Sequence, residues 1–254
     1  MRVLVDLDGV VWLGDDAIAG SAAALAALAR AGCDLWAVTN NAAPTAAQYQ
    51  AKLRRMGCAG AFPAERVLTS AHAAAGLVEP GAEVLVCGAA GLREAAVAAG
   101  AVVRTEGPVR AVLVGLDPEF NYERLTAAVR AVLSGATLIA ANADPTYPTP
   151  HGPAPGAGSM LAAITAATGA SAVIAGKPHP PMVELVRSVV ELGPDDWMVG
   201  DRRSTDGEFA RSLGVRFALV DSVVTEPAER GDLEPAAVDT SLADVVPLIL
   251  ERTQ

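Results

Sequence analysis

Asp6 and Asp8 follow the apolar residues 3–5 directly, and Gly9 comes next. The apolar residues are strong strand formers, so the two acids are expected at the carboxyl end of a buried strand. In an open α/β sheet, ligands bind just outside the carboxyl ends of the parallel strands. Carboxylates placed there can hold a cation or attack a substrate, although an Asp-Gly pair is also typical of an ordinary turn.

Three later apolar segments also end in side chains that can take part in chemistry. Thr39 and Asn40 end one of them, Lys177 ends another, and Asp201 ends the last, with Asp206 shortly after it. Such segments alternate with alanine-rich helical segments, which predicts right-handed βαβ units and therefore a parallel sheet. Because the carboxyl ends of parallel strands share one edge, we expect these side chains to meet the two N-terminal carboxylates.

The acids in this set are suited to phosphoryl transfer. Asp6 is the candidate nucleophile, since a carboxylate can attack phosphorus and carry the group as an acyl phosphate. Asp8 is the candidate general acid and base, which protonates the departing oxygen and later activates water. The accumulated negative charge requires a hard cation with oxygen ligands. Mg²⁺ fits this requirement, with Asp201 completing its ligands and Asp206 in support.

The remaining strand ends supply the complementary donors. The ammonium of Lys177, the hydroxyl of Thr39 and the amide of Asn40 can neutralise the equatorial oxygens of a phosphoryl group in transfer. Each strand end has an ordinary explanation when it is taken alone. The combination of all four indicates phosphate chemistry.

Composition limits the class of protein. The 254-residue chain is 52% hydrophobic, which is enough for one large domain or two smaller ones with a real core. Its formal net charge is -10 and it has no Lys/Arg-rich run, which argues against nucleic acid or an anionic membrane as a partner. Its three cysteines are scattered singly, as in a reducing compartment. With no membrane-length apolar run and no room for a signal peptide, we expect a soluble cytoplasmic protein.

The motifs, taken in order, resemble those of the haloacid dehalogenase-like (HAD) phosphatase superfamily. The resemblance rests on Asp6-x-Asp8-Gly9-Val10, Thr39-Asn40-Asn41, Gly176-Lys177-Pro178 and Gly200-Asp201-Arg202-x-x-Thr205-Asp206. It is greatest for the branch with an α/β cap inserted between the second and third motifs. That branch includes p-nitrophenyl phosphate, pyridoxal phosphate, phosphoglycolate, glycerol 3-phosphate and nucleotide monophosphate phosphatases. One departure is Ala42, where many relatives have Ser or Thr.

The resemblance implies a two-domain α/β fold. A doubly wound, Rossmann-like core with a parallel sheet is expected from residues 1–80 and 173–254, and a smaller α/β cap that selects the substrate from residues 81–172. Relatives pair through their caps, so a homodimer through the cap is a further expectation. The expected partner is a small phosphorylated metabolite.

The same resemblance assigns a role to each site residue. It makes Asp6 the nucleophile, Asp8 the general acid and base with its main-chain carbonyl on Mg²⁺, and Asp201 the third protein ligand of the ion. Asp206 also belongs to the motif, and in relatives this residue more often lies beside the ligands than on the ion itself. The side chains that would hold the phosphoryl group are those of Thr39, Asn40 and Lys177.

Residues 143–157 contain many prolines, which predicts a rigid, irregular loop. Relatives use this loop to reach the leaving group of the substrate. Tyr147 is therefore the candidate for substrate contact, with simple packing as the alternative, and His151 has a weaker claim on the same loop.

The same residues leave three other functions to be considered. A dehalogenase would keep the nucleophile Asp6 but would need neither Asp8 nor Asp201. A phosphomutase differs only in where the phosphoryl group goes next, although its cap usually occurs elsewhere in the order of motifs. A non-catalytic sensor that binds a phosphometabolite would be expected to lose Asp6 or Asp8, and both are present.

Overall fold

The structure is a computed structural model that describes residues 1–149, 152–221 and 234–252. The α-helices within these ranges are α1 (Ser21–Arg30), α2 (Ala46–Arg55), α3 (Ser70–Ala75), α4 (Ala90–Ala98), α5 (Tyr122–Leu133), α6 (Ala157–Thr168), α7 (Pro180–Val189), α8 (Glu208–Leu213) and α9 (Leu242–Glu251). The strands are β1 (Arg2–Val5), β2 (Trp12–Leu13), β3 (Asp16–Ala17), β4 (Asp34–Thr39), β5 (Val67–Thr69), β6 (Glu83–Cys87), β7 (Val102–Arg104), β8 (Ala111–Val114), β9 (Thr137–Ala140), β10 (Thr146–Thr149), β11 (Gly152–Pro155), β12 (Val173–Ile174), β13 (Trp197–Gly200), β14 (Arg216–Val220) and β15 (Ala237–Asp239). Within the same ranges, every helix is too short or too polar to cross a membrane.

A six-stranded sheet contains the first strand of the chain at an interior position. Its strand order is β15-β14-β13-β1-β4-β5, and β1 is parallel to both of its neighbours, with Val5 opposite Val199 on one side and Ala37 on the other. The chain adds strands on one side of β1 first and on the other side later, so the order reverses between β1 and β13. In a doubly wound sheet such a switch point opens a crevice at the carboxyl ends of the strands.

A second sheet of five strands has the order β12-β9-β8-β6-β7, and all its neighbouring strands are parallel. Helices α5 and α6 pack against it. Purely parallel sheets occur almost only where helices cover both faces, as in α/β proteins. The predicted α/β fold with parallel sheets is therefore confirmed.

The chain divides into two compact units. The first comprises Met1–Thr39, Ala47–Leu68 and Val186–Gln254, and the second comprises Asn40–Ala46 and Thr69–Leu185. Each has its own hydrophobic core. Trp12, Phe62 and Trp197 are among the fully buried side chains of the first core, and Val112 and Ile164 are fully buried in the second. The predicted limits of the core and cap domains stay a prediction.

The prediction of an irregular loop at residues 143–157 is wrong. Thr146–Thr149 and Gly152–Pro155 form a two-stranded antiparallel hairpin, in which Pro148 lies opposite Pro153. Proline cannot donate to a strand ladder, but every strand of an isolated hairpin has an outer edge where no donor is needed. His151 lies outside the described residues.

Candidate active site

Three of the predicted site residues lie at or just beyond the carboxyl ends of neighbouring strands in the first unit. Asp6 follows β1, Asp201 follows β13, and Thr39 is the last residue of β4. The main-chain N–H of Asp6 donates a hydrogen bond to the carbonyl of Val199 at 2.9 Å, which extends the pairing of β1 with β13 by one residue. The parallel register thus places these side chains at one edge of the sheet.

A carboxylate cluster forms at this edge. Asp6, Asp201 and Asp206 each offer one oxygen, and these oxygens all lie within 4.8 Å of one another. Asp6 is 8% exposed and Asp206 is 1% exposed, whereas Asp201 is partly exposed. Oxygen ligands of Mg²⁺ lie about 2.1 Å from the ion, so opposite ligands are about 4 Å apart. The cluster therefore fits this ion after a small adjustment of the side chains.

Asp206 reaches the cluster from a π-helical turn, Arg203–Gly207, that precedes α8. The main-chain N–H of Arg202 donates to Oδ2 of Asp206 at 3.2 Å. A Cβ on Gly200 would lie 2.3 Å from the Cβ of Asp206, so this approach requires glycine at the end of β13. Single π-helical turns are rare and occur frequently at functional sites.

Gly9 is required by the same cluster. Its φ is +89°, and a Cβ there would lie 2.2 Å from Oδ2 of Asp201. Any other residue would combine an unfavourable backbone conformation with a clash against the carboxylate. The Asp-Gly pair therefore does form a turn, and the turn makes room for the side chain of Asp201.

Asp8 lies next to the cluster in sequence and is held by a tryptophan. The indole N–H of Trp12 donates a hydrogen bond of 2.9 Å to Oδ1 of Asp8. The Trp12 side chain is fully buried, and the ammonium of Lys52 lies 4.4 Å from the centroid of its ring. The motif identifies Asp8 but does not reveal this contact, whose only trace in the sequence is a tryptophan four residues later.

Thr39 is paired with a buried tyrosine. The side chain of Tyr49 is hydrogen-bonded to that of Thr39, and both are almost completely buried. Burial raises the pKa of the Tyr49 phenol well above its ordinary value of 10.0, with Asp8 and Asp6 raising it further and the bond to Thr39 opposing them. Tyr49 is therefore a neutral phenol at physiological pH. Sequence reasoning missed it, because a tyrosine on the inward face of α2 carries no motif.

The second unit contains Asn40 and Lys177, which are in direct contact. Oδ1 of Asn40 accepts from the main-chain N–H of Lys177 at 2.7 Å, and Nδ2 of Asn40 donates to the carbonyl of Lys177 at 3.1 Å. The carbonyl of Asn40 in turn accepts from Nδ2 of Asn142 at 2.8 Å. Lys177 is 3% exposed. The Asn40 amide thus fixes the backbone that carries Lys177. Phosphate binding by Asn40 and by Lys177 stays a prediction.

Tyr147 lies in β10 of the proline-rich hairpin and is 41% exposed. Its neighbour across the hairpin is Ala154. An exposed aromatic ring on a hairpin is compatible with substrate contact, which stays a prediction.

Comparisons with known proteins agree with the motifs. Residues 3–102 match the model of a family described as haloacid dehalogenase-like hydrolase, and residues 174–245 match that of a related HAD-like family. An acid sugar phosphatase of Staphylococcus aureus is 38% identical over 209 residues, which cover 80% of this chain and 79% of the relative.

Solved structures are similar over almost the whole chain. A glycerol phosphate phosphatase from Mycobacterium tuberculosis, in complex with magnesium, is 34% identical with a TM-score of 0.82, covering 96% of this chain and 76% of that one. A 4-nitrophenylphosphatase from Thermotoga maritima is 31% identical with a TM-score of 0.86, covering 98% and 97% of the two chains.

Proposed function

Because the chain belongs to the haloacid dehalogenase-like hydrolases, we propose that it is a Mg²⁺-dependent phosphatase that hydrolyses small phosphate monoesters through a phosphorylated Asp6. The observation that carries the proposal is the cluster of Asp6, Asp201 and Asp206, whose oxygens lie within 4.8 Å of one another. The magnesium complex of the glycerol phosphate phosphatase supports the choice of ion.

Asp6 and Asp201 would hold the ion through carboxylate oxygens, with the main-chain carbonyl of Asp8 as a further ligand and Asp206 beside them. When bound, Mg²⁺ would offset the negative charge shared by the carboxylates and the phosphoryl group. The donor set supports this choice, because it consists of oxygens only and Mg²⁺ prefers oxygen ligands.

In the first chemical step, an oxygen of Asp6 attacks phosphorus, and the bond from phosphorus to the leaving oxygen breaks. Asp8 gives its proton to that oxygen. In the second step, Asp8 takes a proton from water, whose oxygen attacks the phosphorus of the acyl phosphate. Inorganic phosphate leaves and the Asp6 carboxylate is regenerated.

The hydroxyl of Thr39 would donate to a phosphoryl oxygen, which can only accept. Asn40 and Lys177 are retained as phosphate ligands, and Tyr147 as a contact to the leaving group. The sugar phosphatase and glycerol phosphate phosphatase among the relatives favour phosphorylated sugars and polyols as first substrates to test. A homodimer through residues 81–172 also stays part of the proposal, and its test is the molar mass in solution.

The test is hydrolysis of p-nitrophenyl phosphate by the purified chain. We expect turnover with Mg²⁺, loss of turnover with a chelator, and recovery when Mg²⁺ is restored. Asp6→Asn should abolish turnover and leave the circular dichroism spectrum unchanged, while Asp16→Asn, at an exposed position in β3, should remain active. Near-normal turnover by Asp6→Asn would contradict the mechanism.

The same assay separates the alternative functions. Release of inorganic phosphate in each turnover distinguishes a phosphatase from a phosphomutase, which returns the group to its substrate. Binding of phosphate esters without any release would identify a sensor. A panel of esters compared between the wild type and Tyr147→Ala tests the hairpin, since an unchanged order of kcat/KM would exclude Tyr147 as a determinant of specificity.

A further inference from the structure

We propose that Trp12 is the positioning residue of Asp8, and that its indole N–H determines which oxygen of Asp8 exchanges a proton with the substrate. The inference rests on the proposed function, in which Asp8 is the general acid and base. Its basis is the 2.9 Å hydrogen bond from Nε1 of Trp12 to Oδ1 of Asp8.

The contact is part of a closed loop after β1. The carbonyl of Leu7 accepts hydrogen bonds from the main-chain N–H groups of Val10, Val11 and Trp12, and the N–H of Gly9 donates to the carbonyl of Trp12 at 2.7 Å. Asp8 and Trp12 are thereby held opposite each other as a β-bridge. The backbone fixes the starting point of both side chains before the indole bond forms.

The ring of Trp12 is also fixed in its orientation. Its side chain is fully buried in the core of the first unit. The ammonium of Lys52, from α2, lies 4.4 Å from the ring centroid, in the range of a cation–π interaction. A buried ring that packs on all sides and carries a cation against one face cannot turn its N–H away from Asp8 without disrupting both contacts.

The chemical consequence follows from the donor-only character of indole. An N–H group can bond only to an oxygen that offers a lone pair, and indole nitrogen accepts no hydrogen bond. Oδ1 of Asp8 is therefore an acceptor whenever the bond is present, which favours a proton on Oδ2, because the carbonyl oxygen of a carboxylic acid is a better acceptor than its hydroxyl oxygen. Trp12 thus restrains Oδ1 and favours Oδ2 as the oxygen that acts as acid and base.

The chain provides a matched control for this contact. Nε1 of Trp36 donates to Oδ2 of Asp34 at 3.1 Å, and the guanidinium of Arg66 lies 5.5 Å from the centroid of the Trp36 ring. An indole, a carboxylate and a basic side chain therefore also meet near the amino end of β4, the end opposite Thr39. Replacing either tryptophan by phenylalanine removes one indole-to-carboxylate bond, but only one of them involves a proposed catalytic acid.

The test compares two substrates in the purified full chain. Nitrophenolate is a good leaving group that departs without protonation, whereas an alkoxide needs the proton of Asp8. General acid catalysis contributes roughly 10²–10⁴-fold to such steps. We expect Trp12→Phe to lower kcat/KM about 10-fold or more for an alkyl phosphate but less than about 3-fold for p-nitrophenyl phosphate, as a partial loss of that contribution. Asp8→Asn should change the ratio further in the same direction, and Trp36→Phe should leave it unchanged.

Equal losses for both substrates in Trp12→Phe, or no loss, would overturn the inference while leaving the proposed phosphatase intact. Failure of the proposed function would show itself separately, as absence of turnover in the wild type. Should Trp12→Phe not fold, β-(3-benzothienyl)alanine at position 12 keeps the bicyclic ring and the contact with Lys52 but has sulfur in place of the indole N–H. It should shift the ratio in the same direction, and an unchanged ratio would again overturn the inference.

Discussion

Asp201→Asn should change stability in opposite directions with and without Mg²⁺. The substitution removes one negative charge from a cluster in which three carboxylate oxygens lie within 4.8 Å of one another. Without a cation, like charges at this distance repel, so removal of one charge should stabilise the folded chain. With Mg²⁺, the wild type gains stability from binding, whereas the variant has lost a ligand.

The size of the first effect follows from the spacing. At 4.8 Å, the upper limit of the oxygen separations in the cluster, two unit charges repel by about 3.5 kcal/mol at an effective dielectric constant of about 20. Asp201 is partly exposed, so water and salt reduce the relief to about 1–2 kcal/mol. For a chain of this size, about 1 kcal/mol shifts the melting temperature by about 2–4 °C. The variant without metal should therefore melt about 2–8 °C above the wild type.

The second effect follows from mass action. At a free Mg²⁺ concentration of about 100 Kd, binding to the folded state adds about 2.7 kcal/mol, which corresponds to about 5–11 °C. Asp201→Asn should lose most of this shift.

The assay is thermal unfolding monitored by circular dichroism, in chelator and in a Mg²⁺ titration at neutral pH. Asp221→Asn is the matched control, because Asp221 is exposed and follows β14 at the carboxyl edge of the same sheet, outside the cluster. It should keep the Mg²⁺ shift of the wild type. If Asp201→Asn melts lower than the wild type in chelator and retains the full Mg²⁺ shift, the Asp201 carboxylate is a structural partner and not a metal ligand.

Two further predictions concern pH. Burial, followed by the nearby Asp117 carboxylate, raises the pKa of Cys87 to about 12. The unfolded chain loses this proton above pH 9 and the folded chain does not, so stability should fall by about 1.4 kcal/mol by pH 10; Cys87→Ala should show less of this fall in urea unfolding. Burial lowers the pKa of His72, against an opposing effect of Glu94, and Nδ1 of His72 accepts from the N–H of Thr69 at 3.2 Å. Protonation of His72 breaks that bond and is favoured in the unfolded state, so stability should decrease as the pH is lowered below about 6.5. An equal decrease of the melting temperature in His72→Asn would contradict this assignment.

The carboxyl ends of β1 and β13 could be predicted because each is marked by a short local pattern. At Asp6 and Asp201, an apolar run passes directly into a carboxylate, and a buried parallel strand tolerates such a residue only where the strand ends. Parallel pairing then brings the ends together without further information. The start of α5 follows as directly from the sequence, since asparagine is a favoured N-cap residue, and the Asn121 side chain does accept from the N–H of Arg124.

The partners of the site residues could not be predicted, because they depend on packing between distant segments. Asn40 meets Lys177 across 137 residues, and nothing at either position indicates that an amide will bond to that particular backbone. The sequence indicates only that Tyr49 faces inward from α2, which is equally true of Leu53. The hairpin around Tyr147 was missed because prolines normally oppose strand pairing, and the two-stranded arrangement that permits them is not a property of the local sequence.

The loop after β1 must leave room for the Asp201 carboxylate at position 9 and must also position the carboxylate of Asp8. Position 9 admits no Cβ, because Oδ2 of Asp201 would lie 2.2 Å from it. Glycine there costs roughly 0.5–1 kcal/mol in chain entropy. Trp12 restores the lost constraint from the other side of the turn, through its carbonyl to the Gly9 N–H and its indole to Asp8. A glycine after the acid and a tryptophan four residues beyond it are therefore linked requirements, and variants at either position should be interpreted together.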